Sequence, residues 1–290
     1  MKKLLSLLLA FALLCGAMLA FTACGDDDET ETELLVKTID VKLTDENYAF
    51  VCDIDNTALV ESFNAFLAEI KDNGTFQTLV AKYFEGEGTK VGYTVNNEAL
   101  PGAGKLVVAT NCPFEPFEYI GDDGKIYGLD IEIAAAYAAK HGLTLEVKNI
   151  GFDDIFTQVD TGYADIGMAG ITVSADRALS YAFTDTYYAA SQKLIVAADC
   201  TAFDECKTAE DVEAVLSSLT NKTFGYQNGT TGGMYINGDA DWEYDGFANL
   251  TPKGYATAQD AVQDLINGNV YGVIVDEAPA NAIVKAFNRT

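Results

Sequence analysis

Two carboxylates and a hydroxyl fall within five residues of the stretch YAFVCDIDNTALVESFNAF (48–66), as Asp53-Ile54-Asp55-Asn56-Thr57. An acidic pair at that spacing could support nucleophilic and proton-transfer chemistry. It would need the first Asp at the end of a buried strand, then a downstream hydroxyl, a lysine and an acidic Mg²⁺-binding pair. GDDGKIYGLD (121–130) could imitate the last of these. A second suggestive stretch, NKTFGYQNGTTGG (221–233), reads as a strand entering a glycine-rich turn and then a helix. Free N–H groups at such a turn favour an anion. The phosphate-cradling pattern, however, needs Gly-Lys-Ser/Thr, and no lysine follows. With a single histidine, His141, and no Cys-x-x-Cys, neither a structural zinc site nor any other metal or cofactor is expected.

The chain that must position these residues has 290 residues, 49% of them hydrophobic, enough for two domains with real cores. Its 44 acidic and 18 basic side chains give a formal charge of −26, the wrong sign for a nucleic-acid partner. From 105 onward, strand and helix patterns alternate. KLVVAT (105–110) is a strand, NCPFEPFEYIGDDGKIYG (111–128) a loop and hairpin, and LDIEIAAAYAAKHG (129–142) a helix ending at Gly142. LTLEVKNI returns as a strand, FDDIFTQVDTG as a helix, YADIGMAGI as a strand and SADRALSYAF as a helix. A second unit of the same kind holds NKTFGYQNGTTGG, the helix AQDAVQDLINGN and the strand, turn and helix of VYGVIVDEAPANAIVKAF. This alternation predicts α/β domains with mostly parallel sheets.

The N-terminal part differs. Lys2 and Lys3 precede an apolar run to Phe21, the pattern of an export leader. Phe21-Thr22-Ala23-Cys24 resembles a bacterial lipobox, which implies cleavage of 1–23 and lipidation of Cys24. Acidic residues 24–34 then read as a solvated tether. ELLVKTIDVKLT is strand-like, and ALVESFNAFLAEIKDNG an amphipathic helix with Leu59, Phe63, Phe66, Leu67 and Ile70 on one face. TFQTLVAKYF reads as a shorter helix capped by Thr75, and residues 85–104 as a polar, glycine-rich linker. Four cysteines remain in the mature chain, and three pairings are open; Cys200 with Cys206 is the expected disulfide.

From Lys105 to about Val196 the chain resembles the first lobe of bacterial extracellular solute-binding proteins of the polar amino-acid type, family 3, the receptors of ABC importers. The stretches ATNCPFEPFEY, GKIYGLDIEIA, FDDIFTQVDTGYADIGMAGITVSADRA and FTDTYY carry the likeness, and FGYQNGTTGG with VYGVIVDEAPA resembles the second lobe. Residues 40–84 resemble the family's C-terminal end, a return strand and two helices broken by Asn73-Gly74-Thr75. Here that end precedes the beginning. The implied fold is α/β and periplasmic-binding-protein-like type II, two lobes joined by a hinge with a ligand cleft between them, circularly permuted. Lobe one takes 46–84 and 105–195, lobe two takes 35–45 and 196–290, and 85–104 joins the old termini. A flexible linker of that length spans about 25 Å, ample for two ends on one lobe.

The resemblance implies a site for a free amino acid, with matching positions as follows. Arg177, in TVSADRA, would grip the ligand carboxylate with its planar guanidinium. Gly170 and Thr172 would offer backbone N–H groups and a hydroxyl, and Thr231 a second-lobe turn. Asp276, in VIVDEA, would receive the ammonium. Phe114 and Phe152 would sandwich the side chain, with Asn111 facing it and suggesting a polar or neutral ligand. Glu115 is a weaker candidate, and Asp130 reads as a helix cap. Partners are then the amino acid, a permease and the membrane through Cys24, for a monomer on the outer face of the cell membrane.

Other readings are a dehydratase-type enzyme on this scaffold, which would need a general acid that only Glu115 could supply, and a sensor module. Asp53-Ile-Asp-Asn-Thr57 also resembles the D-x-D-x-T motif of haloacid-dehalogenase-type phosphatases, yet it falls in a segment matched to a strand, turn and helix. The expected role is binding, not turnover.

Overall fold

The computed structural model describes residues 34–94 and 104–288. The expected leader, the lipidation at Cys24, the tether up to 33 and linker residues 95–103 lie outside the described residues.

Two five-stranded sheets carry the fold. In spatial order the first is Thr144–Asn149, Lys105–Thr110, Ile166–Gly167, Val51–Asp53 and Tyr181–Phe183. Its first three strands are parallel, and Val51–Asp53 runs antiparallel to both neighbours. The second is Val36–Thr38, Gln192–Ala197, Gly272–Asp276, Thr223–Gln227 and Thr251–Tyr255. There the last three are parallel and the first two antiparallel to their neighbours. Segments from before residue 94 therefore enter both sheets, which local periodicity alone could not have assigned.

The chain crosses between the sheets at Glu46–Tyr48 and at Tyr188–Ala190. These strands pair antiparallel with Tyr48 opposite Tyr188, a two-stranded hinge ribbon. Helix Thr57–Asp72 is started by Asn56, whose side chain accepts from the Leu59 N–H at 3.4 Å. It buries Phe63, Phe66, Leu67 and Ile70, with Phe63 stacked on Tyr137 at 3.8 Å between centroids. Each such side chain contributes about 1.5–3 kcal/mol by leaving water. Asp53 serves the turn before this helix: its carboxylate accepts from the Asp55 N–H at 2.8 Å and its carbonyl from Asn56 at 3.0 Å. The next helix, Thr75–Val80, begins after Gly74 in the left-handed conformation, so Thr75 is its first residue and not its cap.

Asn288 ties the first strand to the last helix. Its Oδ1 accepts from the Leu35 and Val36 N–H groups at 2.9 and 3.2 Å, and its Nδ2 donates to the Val36 carbonyl at 2.9 Å.

The expected disulfide is corrected as well. Cys200 and Cys206 do not form a disulfide; both are free, as are Cys52 and Cys112. Cys200 Sγ instead meets the Tyr271 hydroxyl at 3.6 Å, and both thiols pack against the apolar cluster around Phe203 and Leu216. Proximity in sequence did not bring the sulfurs together.

Candidate functional site

A narrow cavity of about 10 Å³, room for about one water, lies between the two sheets. Asn111, Phe114, Phe152, Gly170, Thr172, Arg177, Thr231 and Asp276 all line it. Residues from widely separated segments thus converge, and Glu118, Gln227 and Thr230 join them. Glu115 does not: it borders a separate, wider groove with Tyr83, Lys90 and Tyr188.

Arg177 opens the short helix Arg177–Ser180 and is buried. Nη1 donates to the Thr172 carbonyl at 2.8 Å and Nη2 to the Gly229 carbonyl at 3.0 Å. The guanidinium stands 5.7 Å from the Phe152 ring, 5.1 Å from Phe156 and 5.6 Å from Trp242, a cation–π cage. Burial lowers its pKa to about 10, against the pull of Glu46 and Asp276, so it is cationic at neutral pH. The close approach of Gly229 explains the glycine. At φ 73 any Cβ would fall 1.7 Å from the Asp153 carboxylate.

Asp276 ends strand Gly272–Asp276 and precedes helix Glu277–Phe287, yet its side chain does not cap that helix. It accepts from the Tyr48 hydroxyl at 2.5 Å. Burial, and then the neighbouring Glu46, push its pKa up to about 7.

Gly170 adopts φ 55, and a Cβ there would meet the Phe114 ring at 2.6 Å. Its N–H, implied to face a ligand, is already engaged by Asp130 Oδ2 at 3.1 Å. Asp130 is no helix cap, therefore. The cap position is Gly128, and the Asp130 carboxylate is buried between Gly170 and the Tyr187 hydroxyl, 2.7 Å away. Burial raises it to about 7. Asn111 is occupied at both ends: Nδ2 donates to the Ile150 carbonyl at 2.7 Å, and Oδ1 accepts from Gln227 Nε2 across the cleft at 2.8 Å.

Three acidic contributions escaped the sequence reading. Glu118 is fully buried on the cavity wall, and neither oxygen has a hydrogen-bond donor among the described residues. Burial, with Asp130 beside it, pushes this carboxyl well above the usual range. Glu46 accepts from the Thr172 and Thr231 hydroxyls, and Asp130 sets Gly170. Glu46 left one trace in sequence, its two-residue offset from Tyr48, which puts both on the buried face of one strand. Glu118 left none, since nothing local distinguishes it from Glu115.

Residues 106–277, more than half of the chain, match the model of the bacterial extracellular solute-binding proteins, family 3. The chain belongs to this family, and its two lobes, hinge ribbon and cleft are the type II periplasmic-binding-protein fold. It is similar to the arginine-binding extracellular protein ArtP of Bacillus subtilis (strain 168), 30% identical over 47% of this chain and 48% of ArtP. It is 27% identical to ABC transporter arginine-binding protein 1 of Escherichia coli (strain K12), over 63% of this chain and 68% of that one. The matched stretch thus spans about half of the first relative and two thirds of the second. Among solved structures, an ancestral arginine-binding protein bound to arginine superposes with a TM-score of 0.55 at 31% identity, over 64% of this chain and 76% of that one.

Proposed function

We propose that this chain is the extracytoplasmic receptor of an ABC importer, binding a free amino acid between its lobes and delivering it to a membrane permease. One observation carries the reading: a buried arginine and a buried aspartate, Arg177 and Asp276, line one cavity from different lobes. That is the charge pair a zwitterion requires. The cavity is too narrow for an amino acid as it stands, so entry needs the lobes to part about the hinge ribbon, and the ligand favours the closed form through contacts made only there.

The ligand side chain needs hydrogen-bond donors. Asn111 suggested a polar or neutral one, but its polar atoms already face Ile150 and Gln227. Glu118, without a hydrogen-bond donor among the described residues, extends the choice to cationic side chains such as that of arginine, the ligand for which both relatives are named. A thermal-shift screen of the twenty amino acids plus cystine, followed by calorimetry, tests this, because a tight ligand raises stability by mass action. No shift with any of them overturns it.

The chain order is best read as a circular permutation. Val51–Asp53 lies inside the sheet built by 105–183, and the family match begins only at residue 106. A chain with 34–94 deleted should lose lobe one, whereas one with those residues moved behind a re-opened linker should fold and bind. Cleavage before Cys24, lipid anchoring on the outer membrane face and a monomeric state belong to the same proposal, and mass spectrometry of the membrane fraction checks the anchor.

A dehydratase-type activity is the second reading, favoured by Glu118, a carboxyl on the cavity wall whose affinity for its proton is raised by burial and by Asp130. Turnover of prephenate or arogenate, lost in Glu118→Gln, would replace the binding-only reading.

A further inference from the structure

Glu46 sits in the hinge ribbon, 4% exposed, with donors from four separate segments around it. Oε1 accepts from the Thr44 hydroxyl at 2.7 Å and Gln192 Nε2 at 3.1 Å. Oε2 accepts from the Thr172 hydroxyl at 2.7 Å and the Thr231 hydroxyl at 2.8 Å. Four donors match the acceptor capacity of a carboxylate. Each threonine has a single hydroxyl proton, and a carboxylate can only accept, so both protons point at Glu46. Thr231 Oγ1 additionally accepts from Gln192 Nε2 at 2.8 Å.

We infer that Glu46 is a positioning residue of the cleft: by taking the protons of Thr172 and Thr231 it leaves both hydroxyls facing the cavity as acceptors, and by holding one threonine from each lobe it couples recognition to closure. The inference rests on the amino-acid reading of the cleft and deepens it. Two acceptor hydroxyls lining the same cavity as Asp276 then join it as the ammonium end of the site. The ligand carboxylate is then left to Arg177 and to backbone N–H groups, since neither threonine side chain can donate to it. Removing Glu46 frees both protons, and the hydroxyls can turn donor and oppose the ammonium.

The same arrangement makes recognition pH-dependent. Asp276 is faced by Glu46 and Tyr48 from the hinge ribbon, by Tyr188 from its partner strand, by Tyr244 from lobe two and by Arg177 from lobe one. With a pKa of about 7, Asp276 must lose a proton to receive an ammonium. Affinity therefore rises with pH and levels off above about 7, falling about tenfold per unit below it. Without the Glu46 charge the midpoint moves to lower pH.

The test is calorimetric titration of the full chain with L-arginine and L-glutamine at four pH values from 5.5 to 8.5. Wild type and Glu46→Gln are compared, with melting curves alongside. At pH 8.5 the variant is expected to bind about tenfold or more weakly, with its pH midpoint lowered by about one unit. A folded variant with wild-type affinity and an unmoved midpoint overturns the inference. Thr231→Ser and Thr231→Val provide the second arm: serine keeps the acceptor and should bind at least about tenfold more tightly than valine, and equal binding by both also overturns it. If wild type binds no amino acid at any pH, the amino-acid reading itself falls and takes this inference with it.

Discussion

Arg177 and Gly229 meet across the cleft: a guanidinium N–H from lobe one donates to a second-lobe carbonyl at 3.0 Å. The hydrogen bond leaves other guanidinium N–H groups able to receive a carboxylate, so in the proposed site this residue would serve both recognition and the contact between lobes. Arg177→Ala should weaken the best amino-acid ligand by about 2–5 kcal/mol in calorimetry, since it leaves a carboxylate unpaired in a buried site. Arg177→Lys should recover little, because an ammonium cannot reproduce the planar fork.

Ligand-free stability should fall as pH rises through the acidic range. Asp276 and Asp130 both have pKa values raised to about 7, above their ordinary value, so between about pH 4 and 7 the folded chain holds more protons than the unfolded one. That contribution is full at acidic pH and is lost as pH climbs through the folded value. Melting curves from pH 4.5 to 8 should decline by a few kcal/mol, and Asp276→Asn should flatten part of the slope. A rising curve would contradict the burial of these groups as ionisable acids.

Gly170→Ala should be costly twice. The residue would hold a left-handed φ of 55 and drive a methyl into the Phe114 ring, 2.6 Å from the Cβ position. A loss of about 1–3 kcal/mol in denaturant unfolding is expected, together with weaker amino-acid binding as Phe114 shifts. Unchanged affinity in a folded variant would mean that Phe114 does not shape the cavity.

Thiol chemistry should divide the cysteines. Cys52 and Cys112 are buried, and burial raises both, Cys52 to about 12. Cys200 and Cys206 are half-exposed and unpaired. A reagent such as 5,5′-dithiobis(2-nitrobenzoate) should titrate the latter pair in the native chain and the former only after unfolding. A native protein with no reactive thiol beyond the N-terminal region would restore the expected disulfide.

Much of the architecture was legible because it is written locally. Strand and helix periodicity from 105 onward reports burial directly, and the break at Asn73-Gly74 is a property of a few adjacent residues. Gly170, Thr172 and Arg177 fall within eight positions of one motif, so their co-location needed only that motif to be recognised. The Cys200–Cys206 expectation failed because nearness in sequence says nothing of where two sulfur atoms point. Asp130 was misjudged for a related reason: an acid in the first turn of a helix usually serves that helix, but a buried one serves whatever donor the fold brings to it, here Gly170 and Tyr187.

The sequence by itself singled out segments that line one cavity and the groups they bring: one guanidinium, one strand-end aspartate, small residues at the close approaches and aromatic walls. Only the tertiary structure decided how the polar groups are shared. Glu46 reaches Thr172 and Thr231 across separations of 126 and 185 residues, Tyr48 reaches Asp276 across 228, and Glu118 is left without a donor among the described residues. A hydroxyl has one proton to give, and it goes to the strongest acceptor within about 3 Å. Which acceptor that is depends on folding, because no local rule places a hinge carboxylate between the hydroxyls of two lobes.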